Sequence, residues 1–193
     1  MCGESLADPI AQYHGLHCNN EKRIHGHNRI VQALKQVVTD AGGFANPNIS
    51  ACHNWPDGRV SDLEVFLGDQ THLLDVTVVN PLAPTYYQRA AKSQGSGAIA
   101  KEAEQKKINK YEQLAKTQGA IFHPFALEAL GTFGEEAKKF LELLALHHDE
   151  HVQDGLTKRH FMSTAISRIA AALHRRNAHC VLRSLRRPGW LED

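Results

Sequence analysis

Two apolar segments that each carry one aspartate constrain the fold most strongly. Residues 59–67 and 71–79 are rich in Val and Leu, and a short turn at Gly68 separates them. Apolar runs on either side of such a turn predict the two strands of a hairpin. Asp62 lies in the first run and Asp75 in the second. Because a carboxylate in an apolar strand is costly to bury unless it is paired or binds a metal, both are candidate site residues.

Helical periodicity surrounds this hairpin. Apolar residues recur at helical spacing from His27 until the pair Gly42-Gly43, which predicts a helix that ends there. Residues 84–97, which include Gly95, Ser96 and Gly97, predict a mobile segment. The remaining predicted elements are a helix at about 98–116, a strand within 120–130, a helix at about 135–147, and a helical region at about 157–186 that is broken near Asn177. This order predicts an α/β fold with a sheet core flanked by helices.

Bulk composition limits the class of protein more than its function. The 193 residues fit one domain with an appendage, and 42% hydrophobic with 22% charged residues is ordinary for a soluble globular chain. The formal net charge of +1 gives no sign of nucleic-acid binding. No apolar run approaches the 18 or more residues of a membrane helix, and the N-terminus lacks a secretory signal. We therefore expect an intracellular protein with no membrane partner.

A lysine-rich helix start follows the predicted hairpin. Lys106, Lys107 and Lys110 lie within the helix predicted at about 98–116. Two carboxylates on neighbouring strands form a hard oxygen site suited to Mg²⁺, and a nearby lysine can orient or polarise a phosphate or a water. This combination predicts phosphodiester hydrolysis. The plainer alternative is a pair of strand aspartates in ordinary salt bridges beside a solvated helix face.

The N-terminal and C-terminal regions contain candidate residues for binding a metal and a nucleic acid. Residues 1–26 are irregular and rich in Cys, His and Asn, and the histidines close to Cys18 favour metal ligation there. Near the C-terminus, arginines accumulate with no acid until Glu192. The arginines expected to contact nucleic acid are Arg168, Arg175, Arg176 and Arg183. Such an excess neutralises phosphates, or forms the charged outer face of an amphipathic helix.

The order of these features resembles the restriction-like endonuclease of site-specific non-LTR retrotransposons. The segments that carry the resemblance are YHGLHC, GHNRI, LLDVTVVNPLAPTY, KKINKY, FHPFALEALGTFG and RRNAHCVL. The likeness covers nearly the whole chain, to about Leu185. Each motif is short, whereas their order and spacing together are fairly specific. The resemblance implies the PD-(D/E)XK nuclease fold, which is a mixed sheet core flanked by helices.

The resemblance also implies a set of catalytic residues. Asp62 and Asp75 would bind a catalytic Mg²⁺ or Mn²⁺. Lys107 would be the active-site lysine supplied by the helix, with Lys110 as the alternative. Thr77 stands where the usual lysine of the nuclease core would lie, which fits a lysine that has moved to the helix. The implied activity is metal-dependent DNA endonuclease cleavage that nicks a strand.

A structural Zn²⁺ site is implied for the N-terminal region. Three positions of the family's zinc knuckle are matched by Cys2, His14 and Cys18. The fourth ligand would be His27, with His25 and His17 as alternatives. The implied organisation is a zinc-knuckle-like module at 1–26, a nuclease-like core at 27–150 and a basic C-terminal helical region at 151–193. The plain alternative for the module is a surface loop rich in Cys and His.

Some family positions differ in this chain. Ser61 replaces the proline before the first aspartate, and Gly26 replaces the arginine of an Arg-His-Asn stretch. These differences keep a second hypothesis open, a catalytically inactive DNA-binding module. A third is a nuclease that acts on RNA or branched DNA. The expected partners are DNA and a reverse transcriptase or element RNA, and the expected location is the nucleus.

Overall fold

Four strands form one sheet in the part of the chain that the structure describes. The computed structural model describes residues 23–47, 61–92 and 95–185. The helices are α1 (Arg23–Asp40), α2 (Pro84–Lys92), α3 (Ala98–Thr117), α4 (Glu135–His151) and α5 (Lys158–Leu185). The strands are β1 (Phe44–Pro47), β2 (Leu63–Leu67), β3 (Gln70–Val79) and β4 (Ala120–Glu128).

The sheet is mixed and has the strand order β1-β2-β3-β4. β1 with β2 and β2 with β3 pair antiparallel, while β3 and β4 run parallel after the crossover through α2 and α3. Gly68 turns the β2–β3 hairpin with a φ of 56°, a left-handed conformation that glycine adopts without steric cost. The predicted hairpin and the α/β class with helices around a mixed sheet are therefore confirmed.

Each face of the sheet packs against different helices. Alternate residues of a strand point to opposite faces, so β3 contributes Leu74 and Val76 to one side and Leu73 to the other. The larger core joins one face of the sheet to the apolar stripes of α1, α4 and α5. On the other face, Tyr111 and Ala115 of α3 pack against Leu73. This side, beneath α3, holds the candidate site.

Two predictions about regular structure are wrong. Pro84–Lys92 is helical, although residues 84–97 predicted a mobile segment. Proline suits the first position of a helix because its φ is preset and it needs no N–H donor there. α5 continues through Asn177 without the predicted break. The Asn177 side chain donates to the carbonyl of Ala129 at 2.6 Å instead of competing with the helix backbone.

The C-terminal helix shares the core of the sheet domain. Phe161, Ala165, Ile169 and Leu173 of α5 lie in the same buried cluster as residues of α1 and β2. The predicted region 151–193 therefore packs against the predicted core region over the part that is described. None of the described helices is long and apolar enough to cross a membrane.

Candidate functional site

The hairpin brings the two aspartates to adjacent strands. Leu63 of β2 pairs with Leu74 of β3. Because the pairing is antiparallel, Asp62 and Asp75 lie opposite each other one position further along. The backbone N–H of Asp62 donates to the Leu74 carbonyl at 2.9 Å. The Asp62 side chain turns toward β3, where its Oδ2 accepts the N–H of Val76 at 2.7 Å. Adjacent placement is what the hairpin pattern predicted.

His27 reaches this pair from α1. Its Nε2 lies 3.1 Å from Oδ2 of Asp62 and 3.0 Å from the Val76 carbonyl oxygen. Since both neighbours are acceptors, Nε2 carries the hydrogen and donates to them. Burial lowers the pKa of His27, but the hydrogen bond and negative charge of Asp62 outweigh it, so the pKa is raised overall. The structure places this histidine, an expected zinc ligand, against Asp62.

Lys107 reaches the pair from α3. Its Nζ donates to Oδ2 of Asp75 at 2.6 Å, and the two side chains are 27% and 13% exposed. Burial raises the pKa of Asp75, while the charge and hydrogen bond of Lys107 act in the opposite direction. The charge of Asp62 also raises the pKa of Asp75, and the charge of His27 lowers it. These four groups therefore form one electrostatic unit.

The donor set fits a hydrated Mg²⁺ ion or a similar cation. The hydrogen bonds occupy Oδ2 of Asp62 and Oδ2 of Asp75, so each Oδ1 has no hydrogen-bond partner among the described residues. No group of three or more His, Cys, Asp or Glu side chains within the described ranges could hold a metal ion. Mg²⁺ does not require one, because it is usually bound by one or two carboxylates and keeps several waters or phosphate oxygens.

Three glutamates on β2 and in the first two turns of α3 have different surroundings. Glu102 accepts from Arg89 at 2.9 Å and from Lys106 at 2.7 Å on the surface. Glu104 accepts hydrogen bonds from backbone N–H groups at the start of α4. Glu64 is buried and lies two residues after Asp62 on the same face of β2. Glu64 therefore lies on the same side of the sheet as Asp62.

Two buried glutamates fix the helices around the site. Oε1 of Glu128, at the end of β4, accepts the N–H groups of Ile99 and Ala100 at the start of α3 at 3.2 and 3.4 Å. Glu104 of α3 accepts the N–H groups of Glu136 and Ala137 at the start of α4, at 3.1 and 3.0 Å. Carboxylates stabilise helix N-termini because they satisfy unpaired N–H groups and oppose the helix dipole. Glu128 therefore holds the helix that carries Lys107.

Neither the two helix contacts nor the role of His27 follows from local sequence patterns. Glu128 has no local signature, because the helix that it caps begins 30 residues earlier in the chain. His27 lies on α1, 35 residues before its partner Asp62. In each case the two groups meet only through tertiary packing.

The other expected site residues lie in different places. Lys110 is exposed, with its Nζ 4.8 Å from the centroid of the Tyr111 ring, and Thr77 follows Asp75 on the same face of β3. The expected zinc ligands Cys2, His14 and Cys18 fall outside the described residues.

The four arginines of α5 are not equivalent. Arg168 forms an ion pair with Asp40 of α1, and Arg175 is exposed. Arg176 is only 3% exposed, and its Nη1 donates to the side chain of Asn177 at 2.9 Å. Arg183 lies in the last turn of the helix. Of the first three, Arg168 and Arg175 are accessible to a nucleic acid, while Arg176 packs inside.

Neither the protein-family models nor the curated proteins include a match to this chain.

Proposed function

We propose that the protein is a divalent-metal-dependent DNA endonuclease that hydrolyses phosphodiester bonds and nicks strands. The observation that supports it best is one cluster. Asp62 and Asp75 lie opposite each other on the β2–β3 hairpin, and Lys107 is bonded to Asp75. A mixed sheet flanked by helices is compatible with the nuclease fold that the sequence resemblance implies.

In this proposal each side chain has a separate task. Asp62 and Asp75 hold the cation through their oxygens. Bound Mg²⁺ or Mn²⁺ supplies Lewis-acid chemistry that activates water and stabilises charge on the phosphate. His27 and the Val76 N–H fix the orientation of Asp62 through its Oδ2, which leaves Oδ1 for the cation. Lys107 contributes a positive charge beside the scissile phosphate or the attacking water.

The second hypothesis is a DNA-binding module without nuclease activity. It predicts the same folded protein. An ion pair between Lys107 and Asp75 and a hydrogen bond between His27 and Asp62 would then serve stability alone. The two hypotheses differ in whether strand cleavage requires the carboxylates of Asp62 and Asp75.

Nicking of supercoiled plasmid in Mg²⁺ or Mn²⁺ tests the proposal. Asp75→Asn keeps the size of the side chain but removes its charge, and we expect nicking to fall by about 100-fold or more. Asp69→Asn is the matched control, because Asp69 is exposed in the turn of the same hairpin. EDTA should abolish the activity of the parent. An Asp75→Asn protein that nicks as fast as the parent would show that the site assignment is wrong.

The proposal extends to a structural Zn²⁺ in residues 1–26, which lie mostly outside the described residues. Elemental analysis of the full chain purified without added metal should find about one zinc per chain. A zinc content near zero would rule it out. The proposal also includes a nuclear location and a partner that is a reverse transcriptase or element RNA. These two points rest only on the sequence resemblance to the retrotransposon endonuclease.

A further inference from the structure

A groove between α1 and α5 has the chemistry of an anion-binding surface. Its volume is about 740 Å³, and Arg29, Arg168 and Arg175 are among the residues that line it. Side-chain amides of Asn28 and Gln32 add further donors. None of the described residues that line it is acidic. A groove with several cationic and neutral donors and no acid attracts phosphate oxygens.

Two of these three arginines have no ion-pair partner among the described residues. Arg29 and Arg175 are exposed, and neither forms an ion pair with a described residue. Arg168 pairs with Asp40, but this bond uses one of its five N–H donors. Arg176, the next arginine of α5, is buried and does not line the groove. The free positive charge therefore comes from both helices and faces the solvent between them.

α1 connects this groove with the candidate active site. His27 of α1 bonds to Asp62, while the neighbouring Asn28 and Arg29 line the groove. Adjacent residues of one helix therefore form the groove and the contact with Asp62.

The lining also indicates the form of the nucleic acid. Proteins that bind single strands usually stack the bases on aromatic side chains. The described lining has no Phe, Tyr or Trp, and its donors suit phosphate oxygens, which carry no sequence information. We propose that the α1–α5 groove binds the phosphate backbone of duplex DNA. This inference rests on the proposed nuclease function for the identity of the ligand.

Binding of a 30-base-pair duplex to the full chain, followed by fluorescence anisotropy over a range of salt concentrations, tests the groove. All proteins carry Asp75→Asn and receive no added divalent metal, so that binding is measured without cleavage. In the double variant Arg29→Gln/Arg175→Gln we expect about tenfold weaker binding and a salt slope that is smaller by about 1 to 2. Arg29→Lys/Arg175→Lys keeps both charges and should retain most of the slope.

The charge-matched control is Lys138→Gln/Lys139→Gln, which removes two exposed cations from α4 outside the groove. It should leave the affinity and the slope almost unchanged. A groove variant that is folded by circular dichroism and binds with the parent's slope would overturn the inference. Tighter binding of single-stranded DNA or RNA than of the duplex would overturn the choice of ligand. If the groove variant loses duplex binding but the native chain does not nick, the nuclease proposal fails and the groove stands.

Discussion

Two pairs of acids, one buried and one half-buried, have different surroundings in this molecule. Glu104 and Glu128 direct their oxygens to backbone N–H groups at the starts of α4 and α3. Asp62 and Asp75 are bonded instead to the basic side chains of His27 and Lys107. Backbone N–H groups at a helix start need an acceptor to be satisfied, whereas His and Lys side chains are groups that also serve in chemistry.

The largest expected effect concerns the aspartate pair. Lys107→Met removes the cation next to Asp75, and we expect nicking to fall by about 100-fold, as when one preorganised donor is lost. Lys110→Met is the matched control, since Lys110 is exposed on the same helix, and it should keep most of the activity. Initial rates of plasmid nicking measure both variants. A severe loss in Lys110→Met with an active Lys107→Met would reverse the assignment.

A substitution in the glutamate pair should lower the stability of the folded protein. Glu104 is 2% exposed, and Glu104→Ala would leave the N–H groups of Glu136 and Ala137 without their acceptor. We expect the free energy of unfolding to fall by about 2–3 kcal/mol. Glu112→Ala, on the exposed side of the same helix, should change it by less than about 1 kcal/mol. Urea denaturation compares them, and equal effects would contradict the capping role.

The contact of α1 with α5 predicts an effect of intermediate size. A Cβ at Gly26 would lie 2.5 Å from Cγ of Arg176, which is too close to the base of that side chain to be relieved by a rotation of its tip. Alanine favours a helix by about 1 kcal/mol over glycine, but overpacking costs about 1–3 kcal/mol. Gly26→Ala should therefore lower the unfolding free energy.

Gly95→Ala is its control, because a Cβ at Gly95 meets no atom within 4 Å. In the background Arg176→Ala, the cost of Gly26→Ala should shrink, which a double-mutant cycle measures. An unchanged cost would show that the Arg176 contact is not its cause.

The smallest effect comes from a histidine pair on the opposite face of the sheet. Nδ1 of His72 and Nε2 of His123 are 2.9 Å apart, so one ring donates to the other while both are neutral. Burial lowers the pKa of His123 to about 3, with a further contribution from the charge of His72. Burial also lowers the pKa of His72.

Because the pKa of His123 lies below the ordinary value of 6.5, its stabilising contribution is complete above pH 6.5 and is lost as the pH falls toward 3. We expect the unfolding free energy to decrease by on the order of 1 kcal/mol between pH 7 and 5. His123→Gln should reduce this pH dependence, whereas His151→Gln, at an exposed position, should not. Urea denaturation at both pH values provides the comparison.

The sequence predicted those parts of the site that depend on local patterns. Strand periodicity and the turn at Gly68 placed Asp62 beside Asp75, because a hairpin fixes the register of its strands. The helix predicted at about 98–116 supplied Lys107. His27 and Glu128 escaped prediction because their partners are distant in sequence. Asn177 was misread as a helix break because its bond to the Ala129 carbonyl exists only in the folded molecule.

Measuring nicking and unfolding on the same Asp62→Asn protein tests the central claim most directly. Asparagine can still accept from the Val76 N–H, so we expect the unfolding free energy to change by less than about 2 kcal/mol. Nicking of supercoiled plasmid in Mg²⁺ should fall by about 100-fold or more. A folded Asp62→Asn protein that nicks at the parent's rate would show that the aspartate pair does not carry the reaction.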